Sequence, residues 1–223
     1  MKKYIFVLFL LGFGFTNAQE LTQDLEDFNE IKVYNGLDVV LEESNMNKAF
    51  ITGKNRTDVK FKIKDGILKV RMSFDEILDN DNTKIRIQFK NLKKIDGRQN
   101  ASIRIKSKLK QEVLYLNASE GADIFADVKL ENLYVDSNTG GVIEAEGKTR
   151  NQEIDINTGG KFYAKNLKSQ NIDISIKAGG AADVTASNQV KARVRAGGTV
   201  NVYGNPKNID ENTLFGGKVI RKN

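Results

Sequence analysis

The chain has 223 residues, with 35 Lys and Arg against 29 Asp and Glu for a formal charge of +6, and it contains neither Cys nor His. Without Cys there are no disulfides, thiol nucleophiles, thiolate metal sites or lipid-bearing Cys behind a leader. Without His the usual zinc sites and imidazole bases are excluded too, so no cofactor or metal is expected and any chemistry falls to carboxylates, Lys, Tyr, Ser and Thr, which speaks against an enzyme.

Residues 1–18, MKKYIFVLFLLGFGFTNA, run from the basic pair Lys2 and Lys3 through an apolar stretch from Tyr4 to Phe15 to a small-residue site before Gln19. This pattern is a secretory signal peptide, too short to span a bilayer that needs roughly 20 helical residues, and no later segment is apolar enough to be transmembrane. The remaining residues 19–223 are expected as a single exported domain, in the periplasm, at the cell surface or outside the cell. The two leader lysines removed, its formal charge is +4, with both signs interspersed. A nucleic-acid binder would gather its cations on one face beside aromatics, so no nucleic-acid partner is expected.

Residues 28–90 are β-rich and irregular. IKVYNGLDVVLEE carries an Asn-Gly turn signal, VKFKIKDGILKVRM places Asp-Gly between two alternating runs, and TKIRIQFK alternates through Ile85, Ile87 and Phe89. The segment reads as hairpins or degenerate coils that form an N-terminal cap on the rest of the domain.

Residues 91–223 repeat. Gly140, Gly159, Gly179, Gly197 and Gly216 form a column at spacings of 19, 20, 18 and 19, extended upstream by Gly121 and then by Asn100, the other residue that tolerates a positive φ. Apolar residues hold odd offsets from the column, such as Val135, Ile154 and Ile174 five before and Ile124, Ile143 and Phe162 three after; polar residues hold the even ones. Period-two alternation recurring every 19 residues predicts an all-β fold, a parallel β-solenoid whose coils turn at each Gly-Gly. The first Gly supplies the positive φ and the second lets neighbouring coils approach. A leucine-rich repeat would instead show a Leu-x-x-Leu-x-Leu frame with an asparagine ladder and a helical half, and neither is expected here. Calcium-binding nonapeptide rolls continue Gly-Gly-x-Gly-x-Asp, which these pairs do not.

The order FNEIKVYNGLDVVLEE, KDGILKVRM, NLKKIDGRQNASI, then EGADIFA, TGGVIEA, TGGKFYA, AGGAADVTA and AGGTVNVYGNP resembles the putative auto-transporter adhesin, head GIN domain family, across about residues 28–221. The resemblance implies a right-handed β-helix-like domain of Bacteroidetes envelope proteins, a domain of unknown function with no assigned enzymatic activity, so no catalytic residue is carried over. The family's common Ser-Gly-Ala unit stands here as Thr-Gly-Gly or Ala-Gly-Gly.

In this register the outward positions before the Gly form one flat polar sheet. Tyr115 and Tyr134 lie six before, Asp136 and Asp155 four before, and Asn138 and Asn157 two before. Exposed tyrosines flanked by amides and carboxylates suit a glycan, which lays sugar rings on aromatic faces, and the sheet equally suits a surface protein. The structural alternative is an ordinary solvated strand face. The functional alternatives are a polysaccharide-cleaving enzyme using Asp136 and Asp155 as its carboxylate pair, and a structural component of an envelope assembly. The leader carries the first prediction. Cell fractionation with N-terminal sequencing is expected to find a chain beginning near Gln19 outside the cytoplasm; full-length chain in the cytosol would refute it.

Overall fold

The computed structural model describes residues 20–73 and 83–222; the leader read at residues 1–18 lies outside them. Every regular element among the described residues is a strand. The first nine are short: β1 (Leu21–Asp24), β2 (Glu30–Val33), β3 (Asp38–Glu43), β4 (Lys48–Thr52), β5 (Val59–Lys64), β6 (Ile67–Met72), β7 (Lys84–Phe89), β8 (Lys94–Gly97) and β9 (Ser102–Ile105). Then come β10 (Leu109–Ala118) and four long strands, β11 (Asp123–Ser137), β12 (Val142–Ile156), β13 (Lys161–Ile176) and β14 (Ala181–Val194). The chain closes with β15 (Thr199–Tyr203), β16 (Asn208–Thr213) and β17 (Lys218–Arg221).

The long strands stack in parallel as successive coils of a β-solenoid. Asp123 pairs with Val142, Val142 with Lys161, Lys161 with Ala181, Ala181 with Thr199 and Thr199 with Lys218, so the Gly column of the sequence lies on adjacent rungs. Each long strand runs from one Gly corner to the next and bends on the way: in β11 the buried positions alternate through Val128 and Leu130 and then shift phase to Leu133 and Val135. Differences in coil length are absorbed at these bends, where the β13–β14 register slips between Ala164 and Lys168, leaving the Gly corner and the run before it in step.

The apolar columns fill the interior. Val135, Ile154, Ile174 and Ala192 form one buried stack and Ile143, Phe162, Ala182 and Val200 another. Each large apolar side chain so removed from water contributes about 1.5–3 kcal/mol before the entropy of ordering the chain is counted.

The corner is a pair of left-handed residues. Thr139 and Gly140 have φ of 45° and 73°, Thr158 and Gly159 47° and 76°, and Gln99 and Asn100 54° and 59°. The column also extends one rung beyond Asn100: Asn35-Gly36, which signals a turn in the sequence, turns the same corner, with φ of 60° and 65°. Backbone hydrogen bonds link these corners from coil to coil. Asn100 N–H donates to Glu120 C=O at 3.0 Å, Gly121 to Thr139 at 3.2 Å, Gly140 to Thr158 at 3.1 Å and Gly159 to Ala178 at 3.1 Å. The second Gly serves close approach: a Cβ on Gly160 would clash with the Ser137 carbonyl oxygen of the preceding coil, and one on Gly141 with that of Ala118.

One expectation is corrected. An asparagine ladder is present: Asn151 Nδ2 donates to Asn132 Oδ1 at 3.0 Å, Asn171 to Asn151 at 3.0 Å and Asn188 to Asn171 at 2.7 Å. It runs along the bend that precedes the final run of each coil, where a stack of identical amides satisfies itself without help from the backbone.

The N-terminal part contains both forms expected of it. β2 pairs in parallel with β6 on one side and β8 on the other, and β3 likewise with β7 and β9, so residues 30–43 form a coil inside the stack. The strands outside that coil include antiparallel ones: β5 on β6, β4 on β7, and β1 on β4. The first coil of the chain is therefore not the first in space, and the antiparallel strands end the stack.

These contacts separate the roles of the corner residues. Gly160→Ala is expected to cost about 2–3 kcal/mol, because its clash is with backbone. Gly159→Ala, whose Cβ would meet nothing within 4 Å, carries only the left-handed penalty of about 1 kcal/mol. Thr158→Asn is expected to stabilise by up to about 1 kcal/mol, since it relieves a β-branched residue at positive φ. Chemical denaturation of the three variants checks the order; equal costs at Gly159 and Gly160 would contradict it.

Candidate functional site

The run before each Gly corner builds a continuous face from β2, β8 and the C-terminal halves of β10 to β14. On it Tyr115 pairs with Tyr134, Tyr134 with Glu153, Glu153 with Asp173 and Asp173 with Lys191. The next outward row runs Asn117, Asp136, Asp155, Ser175 and Arg193. The rungs predicted from the sequence are thus the rungs of the fold. Parallel in-register stacking at about 4.8 Å places identical groups one above another, and the two rows show what that does to rings and to charges.

For the rings it is favourable. Tyr115 and Tyr134 stack with centroids 4.7 Å apart and planes 11° from parallel, and Tyr115 remains 41% exposed. For charges it demands neutralisation, which the fold mostly supplies across rungs. Lys177 Nζ lies 3.3 Å from Asp155 and Arg193 Nη2 2.8 Å from Asp173. Asp96, one rung before Asn117 and buried, takes two bonds from Arg98 at 2.9 and 3.0 Å and has Lys32 at 3.7 Å. Arg98 is in turn raised above its ordinary value by that hydrogen-bonded carboxylate.

Asp136 is the exception. Its carboxylate makes no ion pair or hydrogen bond among the described residues. Although exposed at its rim, it is pushed above the usual carboxylate value, first by the water its neighbours displace and then by the Asp155 charge, with Lys177 pulling the other way. Asn138 and Asn157 stand on the same face but are turned to the corner: Asn138 Oδ1 accepts from Thr139 Oγ1 at 3.1 Å and Asn157 Oδ1 from the Thr158 N–H at 3.0 Å, steadying the left-handed threonines.

Hollows beside the tyrosines join the site, and no sequence pattern announces them. A shallow one of about 240 Å³ is lined by Lys94, Tyr115, Asn117, Tyr134, Asp136, Glu153 and Asp155. Towards the C-terminal coils a second of about 240 Å³ shares Tyr134 and Glu153 with it and reaches the asparagine ladder. On the other side of Tyr115 a larger one of about 830 Å³ lies between β10 and the segments that join the N-terminal strands, with Asp27, Phe28, Asn47, Lys90 and Gln111 in its walls. There Asp27 Oδ1 accepts from Asn47 Nδ2 at 2.8 Å and from Lys90 Nζ at 3.0 Å. Each of these three open hollows is thus lined by at least one ring of the tyrosine pair. The asparagine column, eight residues before Gly140, Gly159 and Gly179, was visible in the sequence; the large hollow was not, because it joins segments about 20 to 90 residues apart. Among the described residues no group of three acidic side chains is placed to hold a metal ion.

The raised Asp136 sets a pH dependence. A folded value above the unfolded one, about 3.9, means that the ionised carboxylate lowers stability above the folded value, and that this penalty vanishes as pH falls below the unfolded value. Asp136→Asn is therefore expected to raise the melting temperature at about pH 7 and to leave it unchanged at about pH 3. A lowered melting temperature at neutral pH would show that the carboxylate is stabilising.

The family model described as "Putative auto-transporter adhesin, head GIN domain" matches residues 27–206. Among solved structures, one described as a putative adhesin from Bacteroides fragilis superposes with a TM-score of 0.83 at 18% identity, covering 92% of this chain and 98% of that one. A putative adhesin from Parabacteroides distasonis gives 0.74 at 18% identity, with 92% and 96% covered. A structure from the same species described as a putative lipid binding protein gives 0.68 at 17% identity, with 93% and 98% covered. At these identities the likeness is one of fold, and the fold carries more than one functional description. No curated protein matches. With the family model spanning most of the solenoid, the chain belongs to the putative auto-transporter adhesin, head GIN domain family.

Proposed function

We propose that residues 19–223 act as one exported, non-catalytic domain of the cell envelope that binds an extended partner, a glycan before a surface protein, along the face that carries Tyr115, Tyr134, Asp136 and Asp155. The observation that carries this reading is the Tyr115–Tyr134 stack, with Tyr115 exposed and Tyr134 half-buried, which lines three neighbouring hollows. The stacked rings cover one face of each other and leave one face each at the two ends of the pair for a sugar ring, and the amides and carboxylates of neighbouring rungs are donors and acceptors for hydroxyls. A partner running along the solenoid axis meets the same kind of surface coil after coil, so affinity accumulates from many modest contacts. The family and its adhesin-described structural relatives agree with a binding role. No helix among the described residues is long and apolar enough to cross a membrane.

A second reading rests on one observation. Asp136 is raised while its rung neighbour Asp155 is paired with Lys177, and two carboxylates held in different electrostatic settings are the arrangement that glycoside cleavage uses. Against it, the hollows are open and no long loop walls a cleft around the pair among the described residues.

A glycan array separates these readings. The chain is expected to bind one class of glycan, and Tyr115→Ala/Tyr134→Ala to weaken that binding by about tenfold or more. Asp136→Asn/Asp155→Asn is expected to leave the glycan intact in both proteins. Polysaccharide cleavage abolished in the Asp variant would establish the enzyme. Unchanged binding in the Tyr variant would remove the tyrosine pair from the site.

A further inference from the structure

We propose that a second surface, on the bend between the two flat runs of each coil, binds a linear anionic polysaccharide along a ladder of four lysines. Lys110 pairs with Lys129, Lys129 with Lys148 and Lys148 with Lys168, each on the next rung and each exposed. Four ammonium groups in one column, about 4.8 Å apart at the backbone, are an unfavourable arrangement for a folded chain to hold unless something neutralises them. On the tyrosine face the fold neutralises such stacking across rungs, as in Lys177 with Asp155 and Arg193 with Asp173. Here it does not. The adjacent carboxylates are engaged by cations outside the column, Asp127 by Lys108 at 3.2 Å and Glu131 by Arg150 at 3.7 Å, and none of the four lysines makes an ion pair among the described residues.

The ladder also has a shape. Lys129, Lys148 and Lys168 line an open trough of about 690 Å³ that crosses these coils and also takes in the Glu131–Arg150 ion pair, Gln170 and Ser187. A column of cations beside side chains able to bond hydroxyls fits a chain of sugars with a carboxylate or sulfate on each unit. The rows flanking the lysines hold Asp127 and Glu146 beside Lys108 on one side and Glu112 and Glu131 beside Arg150 on the other, and since Lys108 and Arg150 are ion-paired within those rows, the unpaired positive charge is in single file. A flat anionic membrane would press its headgroups onto those carboxylates, whereas one polymer strand lies between them. No aromatic ring lines the trough, and single-stranded nucleic acid is held by rings on which bases stack. This surface lies on a different run of the coil from the tyrosine pair and does not depend on the reading given to that face.

The test is a titration of the chain with polygalacturonate, which bears one carboxylate per sugar, beside neutral dextran, phosphatidylglycerol vesicles and poly(dT). Polygalacturonate is expected to bind, dextran not, and binding to weaken as salt is raised. Lys129→Gln/Lys148→Gln/Lys168→Gln is expected to weaken it by about tenfold or more, with a melting temperature unchanged or higher because the mutual repulsion is gone. Two controls locate the effect. Lys60→Gln/Lys62→Gln/Lys69→Gln removes the same charge from exposed positions of the β5–β6 hairpin, and Tyr115→Ala/Tyr134→Ala disables the other face. Both are expected to retain affinity within about twofold. Equal loss in the hairpin variant, retained binding in the ladder variant, absence of polygalacturonate binding, or tighter binding to the vesicles or to poly(dT) would each overturn the proposal.

Discussion

The structure depends on one constraint, the backbone hydrogen bond that each left-handed corner donates to the corner of the next coil. That bond joins consecutive coils at a fixed point from Asn100 and Gly121 through Gly140 to Gly159, and so sets the register of every residue on either side of it. At Thr139-Gly140 and Thr158-Gly159 it uses two consecutive residues at positive φ and then a glycine where the previous coil's carbonyl comes close. Gly-Gly recurs because those are two separate demands. At Gly140 and Gly159 the first glycine answers a dihedral requirement in open space; at Gly141 and Gly160 the second answers a steric one against backbone.

A register held this tightly turns sequence columns into physical ladders, and each ladder is favourable or costly according to its chemistry. Stacked apolar residues make the core, stacked amides bond one another from Asn132 to Asn188, and stacked tyrosines pack ring on ring. Stacked like charges are the costly case. Across the tyrosine face they are largely relieved by residues of the opposite sign from a neighbouring rung, which is why Asp136 and the column Lys110 to Lys168 stand out. In a fold whose energetics repeat from coil to coil, departures from the repeat are where selection for something other than stability is visible.

The ends of the stack obey the same logic by different means. A parallel coil cannot terminate itself, because its last strand leaves a row of unpaired N–H and C=O groups. The N-terminal end meets this with antiparallel strands, and β4 and β5 reverse direction where another coil would otherwise be added. Segments that join these N-terminal strands also wall the large hollow beside Tyr115, so the end of the solenoid contributes to its candidate binding face.

By itself the sequence determined the fold class, the coil period and the rungs of the candidate face, because period-two alternation and a glycine column are local properties that survive without knowledge of long-range contacts. Tyr115 over Tyr134 and Asp136 over Asp155 come from counting back from Gly121, Gly140 and Gly159. Two further columns are equally countable but carry no signal of their role: asparagines eight residues before the glycine, and lysines eleven before it at Lys110, Lys129, Lys148 and Lys168. In β11 they flank the point where the in-out alternation breaks phase, Lys129 just before it and Asn132 at it, and across that break a period-two reading loses its meaning. The tertiary structure alone decided the rest. It placed residues 30–43 inside the stack and Asp27, Asn47 and Lys90 beside Tyr115, turned Asn138 and Asn157 to the corner, and left Asp136 without a partner among the described residues. Those outcomes depend on which distant strand packs beside which, and on where flexible charged side chains find their counter-ions, quantities that no periodicity in the chain encodes.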